Sequence, residues 1–236
     1  MDLWVCHAGR MEYREALRLQ HRLRAARQAE LIPDTLLLLE HDPVYTRGRR
    51  ATPEELPLGA EWYAAKGIDI VDVDRGGKVT YHGPGQLVGY PIVRVGSGVL
   101  GFVRTLEEAI VAALADEGVD AHGRMDDGRD FTGAWVGDRK IGSIGLHVNK
   151  GVTTHGFAVN VDGSLEPWSW IVPCGLPEAH MTSILEQTGR ADPTCFRKRM
   201  AHALAQALGT RQRLVTPARL ERELAEPRPV ISSATS

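Results

Sequence analysis

Between Arg75 and Gln86 the chain reads RGGKVTYHGPGQ, and this stretch constrains the fold more than any other. Four glycines and a proline in twelve residues let the main chain turn with positive φ and approach a ligand closely. Gly and Pro punctuate a chain rather than extend an element, so a sheet built from the flanking apolar runs must be interrupted here. A phosphate loop is excluded. Lys78 follows Gly77, but Val79 stands where Ser or Thr is required and Asp72 where the first Gly belongs. Taken alone, the segment is equally an elaborate turn.

The flanking sequence supplies the elements. Leu3 to His7 predicts a strand closed by Gly9, and the unbroken apolar run Leu36 to Leu39 a buried one. Ile68 to Val73 alternates apolar residues with Asp. Leu87 to Val93 is a further strand in which Pro91 predicts an edge or a bulge. Ala134 to Val148, with Gly137-Asp138 inside it, predicts a hairpin that Phe157 to Val161 extends. Helices are expected over 11–30, with Tyr13, Leu17 and Leu23 apolar, over 101–117 before Gly118, and over 193–208 between Pro193 and Gly209. There is no internal repeat and no strict βαβ alternation. The reading is a single α/β (α+β) domain with a mixed sheet and flanking helices over 1–215. A largely flexible tail is expected over 216–236, disordered from Pro227 onward.

Composition narrows the function. The net charge of −2 over 236 residues gives no basic field for nucleic acid. Arg47, Arg49 and Arg50, and again Arg197, Lys198 and Arg199, are local basic clusters: solvated surface, or a docking patch for an acidic partner. The cysteines are Cys6, Cys174 and Cys195, with no CxxC, which argues against a disulfide framework and for the cytosol. The opening MDLWVCHAGRMEYR has no apolar stretch of signal-peptide length, and no window approaches the ~20 apolar residues of a membrane span.

Two further segments carry chemistry. KIGSIGLH opens with Lys140, and Gly142 and Gly145 leave side-chain space that suits a groove for an extended chain. In VPCG, Cys174 lies between Pro173 and Gly175, where a turn can present its sulfur to a cleft. Each has an ordinary alternative: an exposed lysine on a tightly packed strand, and a small buried hydrophobe. His82 and His147 are secondary candidates, as catalytic or simply hydrogen-bonding histidines. Metal binding is a poor reading: Cys174 and His180 are the closest pair of ligand types, and no second pair accompanies them.

Together the segments decide the matter. RGGKVTYHGPGQLVGYPI, GDRKIGSIGLHV, THGFAVNV and IVPCGL, with EHDPVYTRG upstream, resemble the octanoyltransferase family, also called lipoate-protein ligase B, over residues 36 to 185. The resemblance implies the fold of the biotin and lipoate protein ligase catalytic domains. It implies transfer of an octanoyl group from acyl carrier protein, on whose phosphopantetheine it rides, to a lysine of lipoyl domains. The acceptors would be 2-oxoacid dehydrogenase E2 subunits and the glycine cleavage H protein. No ATP, metal or other cofactor is expected. Cys174 would be the thioester nucleophile and Lys140 its activating partner. Arg75, Gly76, Gly77, Lys78, Val79, Thr80, Tyr81 and His82 would line the acyl and carrier-arm site, together with Ser143, Ile144, Gly145, Gly156, Phe157 and Ala158.

The chemistry suits those residues. A free thiol of pKa about 8.5 is only ~3% thiolate at pH 7. A nearby ammonium favours the anion, and bringing the thiol to about 6.5 takes ~2.7 kcal/mol. Thioester exchange onto the cysteine is nearly neutral in free energy, and amide formation on lysine is strongly downhill. As the free amine, Lys140 can act as base toward the incoming amine and return a proton to the leaving thiol. Three alternatives remain at this stage: an ATP-dependent lipoate or biotin ligase of the same fold, a hydrolase pairing Cys174 with His147, and a carrier-binding module without catalysis.

Overall fold

Residues 1–96, 98–173 and 180–225 are described by the computed structural model. The chain runs through β1 (Asp2–Met11), α1 (Tyr13–Gln28), β2 (Asp34–His41), β3 (Val44–Arg47), α2 (Ala60–Ala65) and β4 (Asp69–Asp72). It continues with β5 (Val79–His82), β6 (Gln86–Ile92), α3 (Val99–Ala115), β7 (His122–Gly123), β8 (Gly133–Val136) and β9 (Arg139–Asn149). Then come β10 (Val152–Asn160), β11 (His180–Met181), α4 (Ile184–Thr188), α5 (Pro193–Ala207), β12 (Arg211–Val215) and α6 (Pro217–Ala225).

The large sheet has the order β12-β1-β2-β6-β10-β9-β8-β7, and β4-β3-β5 form a separate small sheet. Parallel pairing among β12, β1 and β2 gives way to antiparallel pairing from β2 to β7, so the large sheet is mixed. The leucine run of β2 shows why it is unbroken. Leu36 and Leu38 enter the core under α3 and α5, while Leu37 and Leu39 enter the core under α1. A strand covered on both faces has no polar side to alternate with.

Local signals end the helices where the sequence predicts. Glu12 caps α1 by accepting from the N–H groups of Arg14 and Glu15 at 2.8 and 2.9 Å. Asp192 caps α5 just before Pro193, and Gly137, with φ 57°, makes the β8–β9 turn.

Two expectations are corrected. Pro91 lies on neither edge, because β6 is flanked by β2 and β10. The Pro91 carbonyl faces β10, accepting from the Thr153 hydroxyl, so its missing N–H faces the same way. There the β6–β10 ladder has already ended at Gly89, and β10 turns aside at His155, whose φ is 57°. The N–H of His155 donates instead to Gln20 Oε1 at 2.7 Å. The proline thus occupies a position that asks for no donor. The chain also stays packed beyond residue 215. In α6, Leu220 is 1% exposed against the β1 side of the sheet, and Arg22 reaches from α1 to Glu221 at 2.7 Å. Residues 226–236 lie outside the described residues.

The small sheet carries an aromatic core of Tyr45, Tyr63, Tyr81 and Trp168. Tyr45 and Tyr63 donate their hydroxyls to the carbonyls of Pro167 and Trp170, at 2.5 and 2.7 Å. The 3-10 turn Glu166–Trp170 is thereby fixed against this sheet.

Candidate active site

A cleft opens where the two sheets meet. Its floor is β9 and β10, with Ser143 opposite Ala158, Ile144 opposite Phe157, and Gly145 opposite Gly156 in the ladder. Its far wall is β5 and the loop before it, through Arg75, Gly77, Lys78, Thr80 and His82. Tyr13 from α1 and Tyr90 from β6 close one end, and Arg50 pairs with Asp130 at 2.8 Å on the rim.

The period of two along β5 sorts its residues. Thr80 and His82 face the cleft, whereas Val79 and Tyr81 turn into the aromatic core of the small sheet. Gly76 serves docking: its N–H donates to Leu146 O at 2.9 Å, which ties the glycine segment to β9. Arg75 is anchored in turn, donating from Nη2 to Thr46 O and Oγ1 at 2.8 and 2.7 Å. The groove expected from two glycines needs correcting here. A Cβ on Gly145 would meet Gly76 O at 3.0 Å and Arg75 Cδ at 3.2 Å, so that space admits the glycine segment. A Cβ on Gly142 would meet Ala134 and Ile110 on the α3 side, away from the cleft.

Lys140 is 2% exposed and lines the cleft. Its Nζ lies 5.3 Å from the centre of the Trp135 ring, within cation–π range. Trp135 is itself held, donating Nε1–H to Phe131 O at 2.7 Å. On the same strand, Arg139 and Lys140 pair with His180 and Met181 of β11, which takes the place beside β9 that β10 leaves past Gly142. Cys174 lies outside the described residues. The other two cysteines stand apart from the cleft. Cys6 is fully buried under α1, where desolvation pushes its thiol up to about 11. Cys195 is exposed near the start of α5, where Asp192 raises its pKa.

A polar network surrounds one end. His155 donates Nε2–H to Asp74 Oδ1 at 2.7 Å, and His147 Nε2 lies 3.4 Å from Asp74 Oδ2. The His155 hydrogen bond, helped by the charges of His155, His147 and His21, holds the Asp74 carboxyl below the usual range. His147 is thus a partner of Asp74. The Tyr90 hydroxyl donates to His41 Nε2 at 2.6 Å, and burial lowers the His41 pKa to about 4. Among the described residues no group of three or more His, Cys, Asp or Glu side chains is arranged to hold a metal ion.

The family model for the lipoyl protein ligase A/B catalytic domain matches residues 12–208. An octanoyltransferase of Caldicellulosiruptor saccharolyticus is 47% identical over 193 residues, 80% of this chain and 81% of that one. An octanoyltransferase of Corynebacterium jeikeium is 40% identical over 221 residues, 88% of each chain. The chain belongs to the octanoyltransferase family. It is an acyltransferase, and its reaction is octanoyl transfer in lipoate biosynthesis. The ATP-dependent ligase alternative is not favoured. A crystal structure of lipoate-protein ligase A bound with ATP aligns over 95% of this chain and 93% of that one, with a TM-score of 0.81. At 20% identity that likeness speaks for the fold alone. It agrees with the α/β domain and mixed sheet expected from the octanoyltransferase motifs.

Several cleft residues of this octanoyltransferase were invisible to sequence reading. Tyr13 lies in the first turn of a helix and Tyr90 within an apolar strand, where both read as core. Asp74 borders one motif stretch and His155 sits inside another, THGFAVNV, and they gain meaning only because the fold brings them within 2.7 Å of each other.

Proposed function

We propose that Cys174 carries the octanoyl group as a thioester taken from acyl carrier protein, and that Lys140 activates it and serves the onward transfer to a lysine of a lipoyl domain. The observation that carries this reading is the place of Lys140: a buried amine on the floor of the cleft, beside the strand that follows Cys174 in sequence. Just before Cys174, the N–H of Val172 donates to Glu55 O at 3.0 Å. Just after it, His180 and Met181 pair with Arg139 and Lys140. The chain is therefore tied before the cysteine to the 3-10 turn Pro53–Glu55, and after it to the strand that carries Lys140. Elimination supports the same residue, since Cys6 is sealed in the core and Cys195 sits on an outer helix.

A buried ammonium favours a neighbouring thiolate. In the first half-reaction the thiolate attacks the carrier thioester. One C–S bond forms as another breaks, and Lys140 supplies the proton that leaves with the carrier thiol. In the second, the substrate amine attacks the acyl-enzyme, its proton passes to Lys140, and the Cys174 thiolate is released. The carrier's phosphopantetheine arm brings the acyl group, and the thioester supplies the driving force that a ligase draws from ATP.

The acceptors would be lipoyl domains of 2-oxoacid dehydrogenase E2 subunits and the glycine cleavage H protein, and the setting the cytosol, where the thiol stays reduced. No helix among the described residues is long and apolar enough to cross a membrane. Arg49, exposed beside Arg50 and the cleft rim, is suited to steering acidic partner domains. The test is transfer from octanoyl-carrier protein to a lipoyl domain with ATP omitted, followed by the mass of the acceptor. The expected result is a gain of one octanoyl group on one lysine. Release of free octanoic acid with the acceptor unchanged would instead indicate a hydrolase.

A further inference from the structure

The turn His82-Gly83-Pro84-Gly85-Gln86 reverses the chain from the small sheet to the large one. Gly85, at φ 77°, presses against Gly163, and its carbonyl accepts from the N–H groups of Val161, Asp162 and Gly163. Four residues of separation therefore become a side-chain contact, with His82 Nδ1 and Gln86 Oε1 2.8 Å apart. Gln86 opens β6, where its ladder partner is Asn160 at the end of β10.

From Gln86 a chain of buried amides runs on. Its Nε2 donates to Tyr81 O at 3.2 Å and to Asn160 Oδ1 at 3.0 Å. Asn160 Nδ2 donates to Thr182 O at 3.0 Å, and the Thr182 N–H donates to Lys140 O at 3.0 Å. Both acceptors of Gln86 Nε2 are oxygens that carry no hydrogen. The amide orientation is thus fixed, and Oε1 must be the atom that faces His82. An oxygen facing Nδ1 requires a proton on Nδ1, which leaves Nε2 as the acceptor nitrogen of a ring that lines the cleft.

We propose that Gln86 and Asn160 are positioning residues for the transfer. They set His82 to accept a hydrogen bond from a substrate N–H in the cleft, and they hold the chain that follows Cys174 against the Lys140 strand. This rests on the reading of Cys174 and Lys140 given above. The groups that face His82 agree with a neutral ring. Tyr13 from α1 stacks on it at 5.9 Å, His41 from β2 approaches edge-on at 5.7 Å, and Arg75 and His155 lie near. Burial, then His41, drives its pKa well below the ordinary histidine value.

The test uses the full-length protein and the variants Gln86→Glu and Asn160→Ala. Nitrogen-15 NMR of the resting enzyme, with no acyl donor, reads the His82 tautomer, and an Nδ1–H ring is expected. Gln86→Glu sets a carboxylate against Nδ1–H and favours the imidazolium. Its transfer rate should fall more steeply than that of the unmodified enzyme as pH is lowered through neutrality. Asn160→Ala should lower kcat by about tenfold or more, with KM for the acceptor little changed. Should that variant not fold, the isosteric Asn160→Asp, which turns the donor to Thr182 O into a carboxylate oxygen, decides. An Nε2–H tautomer overturns the proposal. So do variants whose melting temperature falls while rate and pH profile stay unchanged, or a Gln86→Glu variant whose rate falls with the pH profile as before. The tautomer is read before any acyl group is present, whereas failure of the Cys174 reading would appear as an unmodified protein lacking a thioester.

Discussion

Thr182 donates its N–H to the carbonyl of Lys140 at 3.0 Å, next to the point where Met181 pairs with the same lysine. This link fixes the strand that follows Cys174 in register with the buried amine. The amine's chemical value follows from its place. A charge carried at a site of 2% exposure would act on its surroundings far more strongly than one in water.

Replacing Lys140 with Met keeps the length and apolar stem of the side chain while removing the amine. Single-turnover acylation by octanoyl-carrier protein should slow by about a hundredfold or more. Circular dichroism should show the fold retained. Acylation at the unmodified rate would remove Lys140 from the chemistry.

Burial separates the thiols. Cys6, with its pKa pushed up to about 11, should resist alkylation of the native protein at pH 8, while Cys195 is reached. Peptide mapping after maleimide treatment, with and without urea, distinguishes them. Labelling of Cys6 without urea would contradict its place in the core.

His41 makes stability depend on pH. Its folded pKa, lowered to about 4, lies below the unfolded value of about 6.5, so the unfolded chain binds the proton first. This contribution is complete above about pH 6.5 and is lost as pH falls toward about 4, on the order of 3 kcal/mol in all. Urea midpoints at pH 7.5 and 4.5 should differ markedly for the unmodified protein and less for His41→Gln. Equal differences would show that His41 does not titrate this way.

At the rim, Arg50 is paired with Asp130, and Arg47 is paired with Asp72. Arg49→Glu is therefore the cleaner charge reversal. It should slow association with an acidic carrier protein at low salt and flatten the salt dependence, leaving single-turnover chemistry unchanged. Stopped-flow rates across a salt series measure this, and an unaltered salt slope would rule Arg49 out.

The closing helix adds stability that the sequence does not announce. Leu220→Ala, at a position 1% exposed, should cost about 2 kcal/mol or more in urea unfolding. A change near zero would mean that α6 packs too loosely to matter.

The fold was legible where periodicity and punctuation agree. The leucine run of β2, the Gly137-Asp138 turn and the Pro193 start of α5 all fall where expected. The small sheet was not, because β5 lies inside a glycine-rich motif that reads as a turn, and β4 says nothing about which sheet it joins. Pro91 misled because whether a strand is central depends on its neighbours, and those are far away in sequence. At the site, the motif residues of β9 and β10 do meet as ladder partners. Val79 and Tyr81 belong to the same motif but serve the aromatic core. Asp74 and His155 were missed because a hydrogen bond between distant segments leaves no local mark.

The most direct measurement of the central claim is the intact mass of the protein after mixing with octanoyl-carrier protein. A single octanoyl adduct is predicted, released by hydroxylamine, mapped to Cys174 and absent in Cys174→Ser. An adduct on Cys195, or turnover by Cys174→Ser at the unmodified rate, would contradict it.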